Sequence, residues 1–171
     1  EFRRVLFRSK LGTDLFQLDG EDFLVIVDYH SKYPVVHKLT STTSAAVAQL
    51  TAATFGLLGA PTEIVSDNGP QFAGKAYQEM CKTWSIRHTT SSPTYPRSNG
   101  LAERMVCTIK TLLTKCRKSC QDISQAMLNL RETCTYRAKP IPSPAEIMFG
   151  RAIRTTLPSN NPHSSRITPA E

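Results

Sequence analysis

The sequence predicts an α/β fold built on a mixed five-stranded sheet flanked by helices. Three observations carry this. The apolar run Phe23–Val27 (FLVIV) follows the pair Asp19-Gly20, the chemistry of a tight hairpin turn feeding a buried strand. From Thr42 onward the apolar spacing changes from the strand period to the helical one. Short strand-like stretches then alternate with helical ones, the pattern that layers helices against a sheet.

Leu11–Leu18 is rich in Leu and Phe but alternates poorly; as the first arm of the Asp19-Gly20 hairpin it reads as strand one. Phe23–Val27 is strand two, and Tyr33–Leu39, after a Ser-Lys turn, is strand three, giving an antiparallel meander. Ala46, Val47, Leu50, Ala53, Thr54 and Leu57 recur at helical spacing, Ser41 to Thr43 offer N-caps, and Gly59 with Pro61 stops the helix. Glu63–Ser66 is a short strand with Asp67 at its end. A helix is expected from Pro70 or Gln71 to about Trp84, then a strand at Ser85–Thr89. Thr90–Ser98 is a loop rich in Pro, Ser and Thr. Asn99–Lys118 and Asp122–Tyr136 are helices, Lys139–Pro144 is a proline turn, and Ala145–Phe149 is a helical turn closed by Gly150. This order, a meander followed by helix-linked strands, is that of the ribonuclease H-like fold.

The chain has 171 residues, 40% of them hydrophobic and 20% charged, which suits one globular domain with a real core. No apolar run approaches the roughly 20 residues of a membrane helix, and no signal peptide is visible. The first nine residues, EFRRVLFRS, read as the translation of a sequencing-library adapter, so the natural sequence is expected to begin near Lys10. Residues 10–150 form the core, and the Pro/Ser-rich stretch 151–171 reads as a tail or linker. The formal charge is +7, and it remains basic without the three Arg and one Glu of the adapter segment. A basic balance suits polyanionic partners, nucleic acid first. The five cysteines, 81, 107, 116, 120 and 134, have no framework spacing and read as free thiols.

Three carboxylates stand out. Asp67 lies at the carboxyl end of a strand, where α/β folds gather their reacting groups, and Asn68-Gly69 permits a sharp turn behind it. The same Asp also suits the cap of the following helix. Asp14 lies inside the first strand, where Asp is disfavoured without a partner such as a metal ion. Glu103 falls in the first turn of the long helix, a place that also suits it to the helix dipole. Three carboxylates together repel unless cations neutralise them, and hard oxygen donors select Mg²⁺ or Mn²⁺.

The segments GTDLF, VDYHSKYP, SDNGPQF, SSPTYPRSNGLAER and SPAEIMFGR follow in order. Over Lys10 to Leu157 the chain resembles the catalytic core of retroviral and gypsy-type LTR-retrotransposon integrases. Asp67 and Glu103 are separated by 35 residues, as in that family's D,D-35-E signature. The resemblance implies that Asp14, Asp67 and Glu103 are catalytic and hold two Mg²⁺ or Mn²⁺ ions. It implies 3′-end processing and strand transfer of element DNA into target DNA, with double-stranded DNA and further copies of the chain as partners, no membrane, and a nuclear location. Lys110, two helical turns after Glu103, falls on the same helix face and is matched to a phosphate contact. Asn99 and Gln71 are matched to positions that meet element and target DNA, Tyr95 and Arg97 suit stacking on a base or binding a phosphate, and Arg104 adds non-specific affinity. Asp28 reads as structural. The substitutions at Arg97 and Leu101 remove no catalytic group. The family's zinc module has no counterpart among His30, His37, His88 and His163, so the chain reads as a core fragment. Two other readings are a catalytically idle DNA-binding or assembly remnant and a nuclease acting on RNA–DNA hybrids.

Overall fold

The computed structural model describes residues 10–91, 100–133 and 142–155. Five strands, β1 (Lys10–Leu18), β2 (Glu21–Asp28), β3 (Pro34–Leu39), β4 (Glu63–Ser66) and β5 (Arg87–Thr90), form one sheet in the order β3-β2-β1-β4-β5. The first three are antiparallel neighbours, while β4 runs parallel to β1 and β5 parallel to β4. The sheet is therefore mixed, as the sequence predicts. Asp19 (φ 50°) and Gly20 (φ 77°) make the two-residue turn between β1 and β2, with both central residues left-handed as a type I′ hairpin requires.

Among the described residues six helices cover the sheet: α1 (Ser44–Leu58), α2 (Pro70–Ala73), α3 (Lys75–Thr83), α4 (Gly100–Ser119), α5 (Ile123–Glu132) and α6 (Pro144–Phe149). One core layer joins Leu11, Leu24, Ile26 and Ile64 of the sheet to Val47 and Phe55 of α1 and to Phe72, Tyr77 and Met80 of α2 and α3. The other joins Phe16, Phe23 and Val25 to Val106, Ile109 and Leu113 of α4. Both faces of β1 are thus covered, which explains why its sequence does not alternate between apolar and polar.

The single helix expected from Pro70 to Trp84 is two helices. The break falls at Gly74, whose backbone is extended (φ −65°, ψ 150°). A β-carbon there would lie 2.4 Å from the Ser44 hydroxyl, and that hydroxyl accepts the Tyr77 N–H at 3.2 Å. The start of α1 therefore occupies the space and supplies the cap. β5 also begins two residues later than expected. Ser85 (φ 55°) and the bond from Ile86 N–H to the Cys81 carbonyl (2.8 Å) first close α3.

Side-chain caps fix the other ends: Thr43 accepts from Ala46 N–H, Asp122 accepts from Gln125 N–H, and Ser143 and Glu146 form a reciprocal capping box. Arg117 of α4 pairs with both Asp19 and Glu21, tying the hairpin to the long helix. Asp28 is buried (1% exposed), and one oxygen accepts from both the N–H and the hydroxyl of Ser31 at 2.7 Å. Cys81, Cys107, Cys116 and Cys120 are free thiols, with Cys116 buried and Cys120 exposed, while Cys134 lies outside the described residues. Among the described residues no helix is long and apolar enough to cross a membrane.

Candidate active site

The sheet register brings two of the three carboxylates together. The β1–β4 ladder pairs Lys10 with Glu63, Leu11 with Ile64 and Gly12 with Val65. Asp14 and Asp67 each follow the last pair by two residues, so they stand at the same level on neighbouring chain segments, whose spacing within a sheet is about 4.8 Å. Asp14 is inside its strand, paired with Val25 on the other side. Asp67 is just past the end of β4.

Alternation along β1 sends Gly12, Asp14 and Phe16 to the α4 side. Phe16 packs there with Val106, Ile109 and Leu113. Gly12 lets α4 approach: a β-carbon on it would be 3.3 Å from Ala102 Cβ and 3.1 Å from Tyr29 Cε2. Ala102 is fully buried by this contact, and Glu103, the next residue, is exposed at its edge. Lys110, further along α4, sets its Nζ 5.5 Å from the centre of the Phe16 ring.

Electrostatics confirm that these groups share one field. The Asp14 carboxyl is pushed from 3.8 up to about 6. Burial is the main cause. The Leu15 N–H, donating to Asp14 Oδ1 at 2.8 Å, pulls it down, the charges of Asp67 and Glu103 push it up, and Lys110 pulls it down. Like charges converging on a half-buried carboxyl are costly unless a cation joins them. The donor set is all carboxylate oxygen, the set suited to a hard divalent ion. Among the described residues, however, no three His, Cys, Asp or Glu side chains are drawn into a ready ligand cluster.

Asp67 also serves its own turn. Its Oδ1 accepts the Gly69 N–H at 3.0 Å, an Asx turn, and Gly69 is the N-cap of α2 with Pro70 at the first helical position. Gln71 is half-buried, and its Oε1 flanks Gly69 on the other side, 3.1 Å from where a β-carbon would be. The Gln71 amide is thus a close neighbour of Asp67. Arg104 is exposed on another side of α4, lining a groove of about 510 Å³ with His30, Lys32, Met105 and Thr108. Tyr95, Arg97 and Asn99 lie outside the described residues.

Two features went unnoticed in the sequence. Tyr29 is half-buried against Gly12, with Lys10 Nζ 5.0 Å and Lys32 Nζ 5.8 Å from its ring centre. Burial raises its phenol, helped by Glu63 and Glu103, so it borders the same field. An aromatic residue just after a strand gives no signal of this. The second is a polar network under Asp67 that includes His88; its residues are scattered over three elements.

Comparison with known proteins bears on the family and the fold. The family described as Integrase core domain matches residues 11–96. An uncharacterized protein of Caenorhabditis elegans is 39% identical over 82% of this chain, and the chain spans 11% of that protein's length. The Gag-Pro-Pol polyprotein of Human T-cell leukemia virus 2 is 43% identical over 39% of this chain, which spans 5% of that polyprotein. Among solved structures, the catalytic core domain of BIV integrase superposes with a TM-score of 0.68 at 23% identity, covering 82% of this chain and 93% of that one. The HTLV-2 integrase catalytic core domain, solved in complex with magnesium, gives 0.66 at 25% identity over 82% of this chain and 95% of its own. A chain of the simian T-cell lymphotropic virus intasome gives 0.74 at 25% identity over 94% of this chain and 60% of its own. With its ribonuclease H-like sheet and a family match over half its length, the chain belongs to the integrase core domain family.

Proposed function

We propose that residues 10–150 form the catalytic core of a metal-dependent polynucleotidyl transferase that processes the 3′ ends of retroelement DNA and joins them to target DNA. The observation that carries this is the register that sets Asp14 level with Asp67, with Glu103 and Lys110 acting on Asp14, in a chain of the integrase core family. Magnesium bound to a solved relative supports a divalent ion here, and the oxygen donors of Asp14, Asp67 and Glu103 fit it. Two such ions, when bound, activate an attacking oxygen and stabilise a departing one in an in-line phosphoryl displacement.

The chain's own residues do the rest. Asp14 is fixed by its strand and by the Leu15 N–H, and Asp67 is fixed by its turn. Glu103 is free to adjust, being exposed on the first turn of α4. Lys110 offers positive charge next to Asp14, where a DNA phosphate would lie. Gln71, beside Asp67, faces the same DNA. Asn99, Tyr95, Arg97 and Arg104 extend the DNA surface. A relative solved as an intasome and another solved as a trimer support assembly with DNA and with further copies of the chain, with α4 and α5 as the contact surface. Action on integrating DNA implies the nucleus. Residues 151–171 are a tail or linker.

A second reading is an idle DNA-binding or assembly remnant, in keeping with the lack of a three-ligand cluster among the described residues. Mn²⁺-dependent reversal of strand transfer on a branched DNA substrate separates the two. Turnover by the chain, lost in both Asp67→Asn and Glu103→Gln, is the expected result. No turnover from a folded chain that still binds DNA would assign the idle reading.

A further inference from the structure

A chain of hydrogen bonds runs beneath the turn that carries Asp67. Ser66, fully buried at the end of β4, donates its hydroxyl to the Asp67 carbonyl at 2.7 Å. His88 Nε2 lies 2.8 Å from the same Ser66 oxygen, and His88 Nδ1 lies 3.0 Å from Gln78 Nε2. Gln78 Nε2 also donates to the Phe72 carbonyl in α2 at 3.1 Å. His88 is held on β5 by its pairing with Ile64 and by the Tyr77 ring, 5.3 Å away between centres.

The protons in this network are determined by its ends. The Ser66 hydroxyl has one hydrogen, directed at the Asp67 carbonyl, so it presents a lone pair to His88. Nε2 must then carry the ring's hydrogen. The two hydrogens of the Gln78 amide go to the Phe72 carbonyl and to His88 Nδ1, so Nδ1 must be bare. Burial lowers the imidazole's affinity for a second proton, in keeping with this neutral form.

We propose that His88 is a positioning residue for Asp67: as the Nε2–H tautomer it holds the Ser66 hydroxyl on the Asp67 carbonyl and, through Gln78, the Phe72 carbonyl of α2. Both ends of the Asp67–Phe72 turn are thereby pinned to β5. This rests on the reading of Asp67 as catalytic. Misplacing such a group by a fraction of an ångström to an ångström costs rate out of proportion to stability.

The test uses the full 171-residue chain and three variants. His88→Phe keeps the ring against Tyr77 but removes both nitrogens. Ser66→Ala removes the relay alone, and His88→Gln restores an N–H near the Nε2 position. The expected result is a loss of branched-DNA turnover on the order of 10- to 100-fold in His88→Phe and in Ser66→Ala, with most of it regained in His88→Gln. Nitrogen NMR of the wild type should show a protonated Nε2 and a bare Nδ1, and the Asp67 carbonyl carbon shift should move in His88→Phe and return in His88→Gln. Wild-type turnover in a folded His88→Phe would overturn the proposal, as would a protonated Nδ1 or an unmoved Asp67 carbonyl. If the wild type turns over no DNA, the functional reading fails, while the two NMR measurements still decide whether His88 holds the turn.

Discussion

Ala102 Cβ stands 3.3 Å from the place a β-carbon on Gly12 would take, and this contact sets how near α4 comes to β1. Gly12→Ala would press on Ala102, on Tyr29 at 3.1 Å and on Val27 at 3.4 Å. A destabilisation of about 1–3 kcal/mol is expected from overpacking, read by chemical denaturation. The helix must yield, carrying Glu103 away from Asp14. Carboxyl titration by NMR should then show Asp14 below about 6, since one of the charges raising it has receded.

Asp14 predicts a pH signature. Its carboxyl sits at about 6 in the folded chain against 3.8 ordinarily. A raised pKa means the folded state binds the proton more tightly. The resulting stability is complete below about 3.8 and lost as pH rises through about 6. Asp14→Asn, which keeps an oxygen for the Leu15 N–H, should melt like the wild type near pH 3.8 and higher than it at pH 7. Added Mn²⁺ should raise the melting temperature of the wild type at pH 7 and not that of Asp14→Asn. A lower melting temperature for Asp14→Asn at pH 7 would contradict this account.

Lys110 opposes the two carboxylates in setting Asp14. Lys110→Gln should therefore move the Asp14 carboxyl further above about 6, again read by NMR. If the lysine also meets a phosphate, DNA binding weakens alike for all sequences, and the slope of log affinity against log salt falls by about 1. An unchanged slope would remove Lys110 from the DNA surface.

Asp28 separates a structural carboxylate from a reactive one. Asp28→Asn takes the charge from the buried carboxylate, one oxygen of which accepts both bonds from Ser31, at an expected cost of about 1–3 kcal/mol. Urea denaturation should show that loss while Mn²⁺ binding by the folded variant stays unchanged. Loss of Mn²⁺ binding at full stability would make Asp28 a ligand.

What could be read from the sequence was what neighbours in sequence decide. The Asp19-Gly20 hairpin, the strand Glu63–Ser66 and the place of Asp67 at its end all follow from local turn chemistry and short apolar runs. The break at Gly74 did not, because its cause is Ser44, thirty residues earlier. Nor did the reason for Gly12, which depends on where α4 lands. The three carboxylates were singled out by type and position, but how closely they gather depends on side-chain placement that no spacing rule conveys. Nor does the sequence signal the place of His88, since its partners Ser66 and Gln78 lie on separate elements.

β1 is held on both flanks, by a two-residue turn to β2 and by a ladder to β4. Adding or deleting one residue between Lys10 and Asp14 would swing Asp14 to the α1 layer, among Leu11, Leu24 and Ile64. The placement of Asp14 beside the end of β4 and the packing of the sheet would then be lost in one event. Changes at the exposed Asp67 or Glu103 meet no such packing, and the fold is expected to survive them. Mutation of this chain therefore has two distinct outcomes, one that erases the fold and one that leaves it standing with a changed surface.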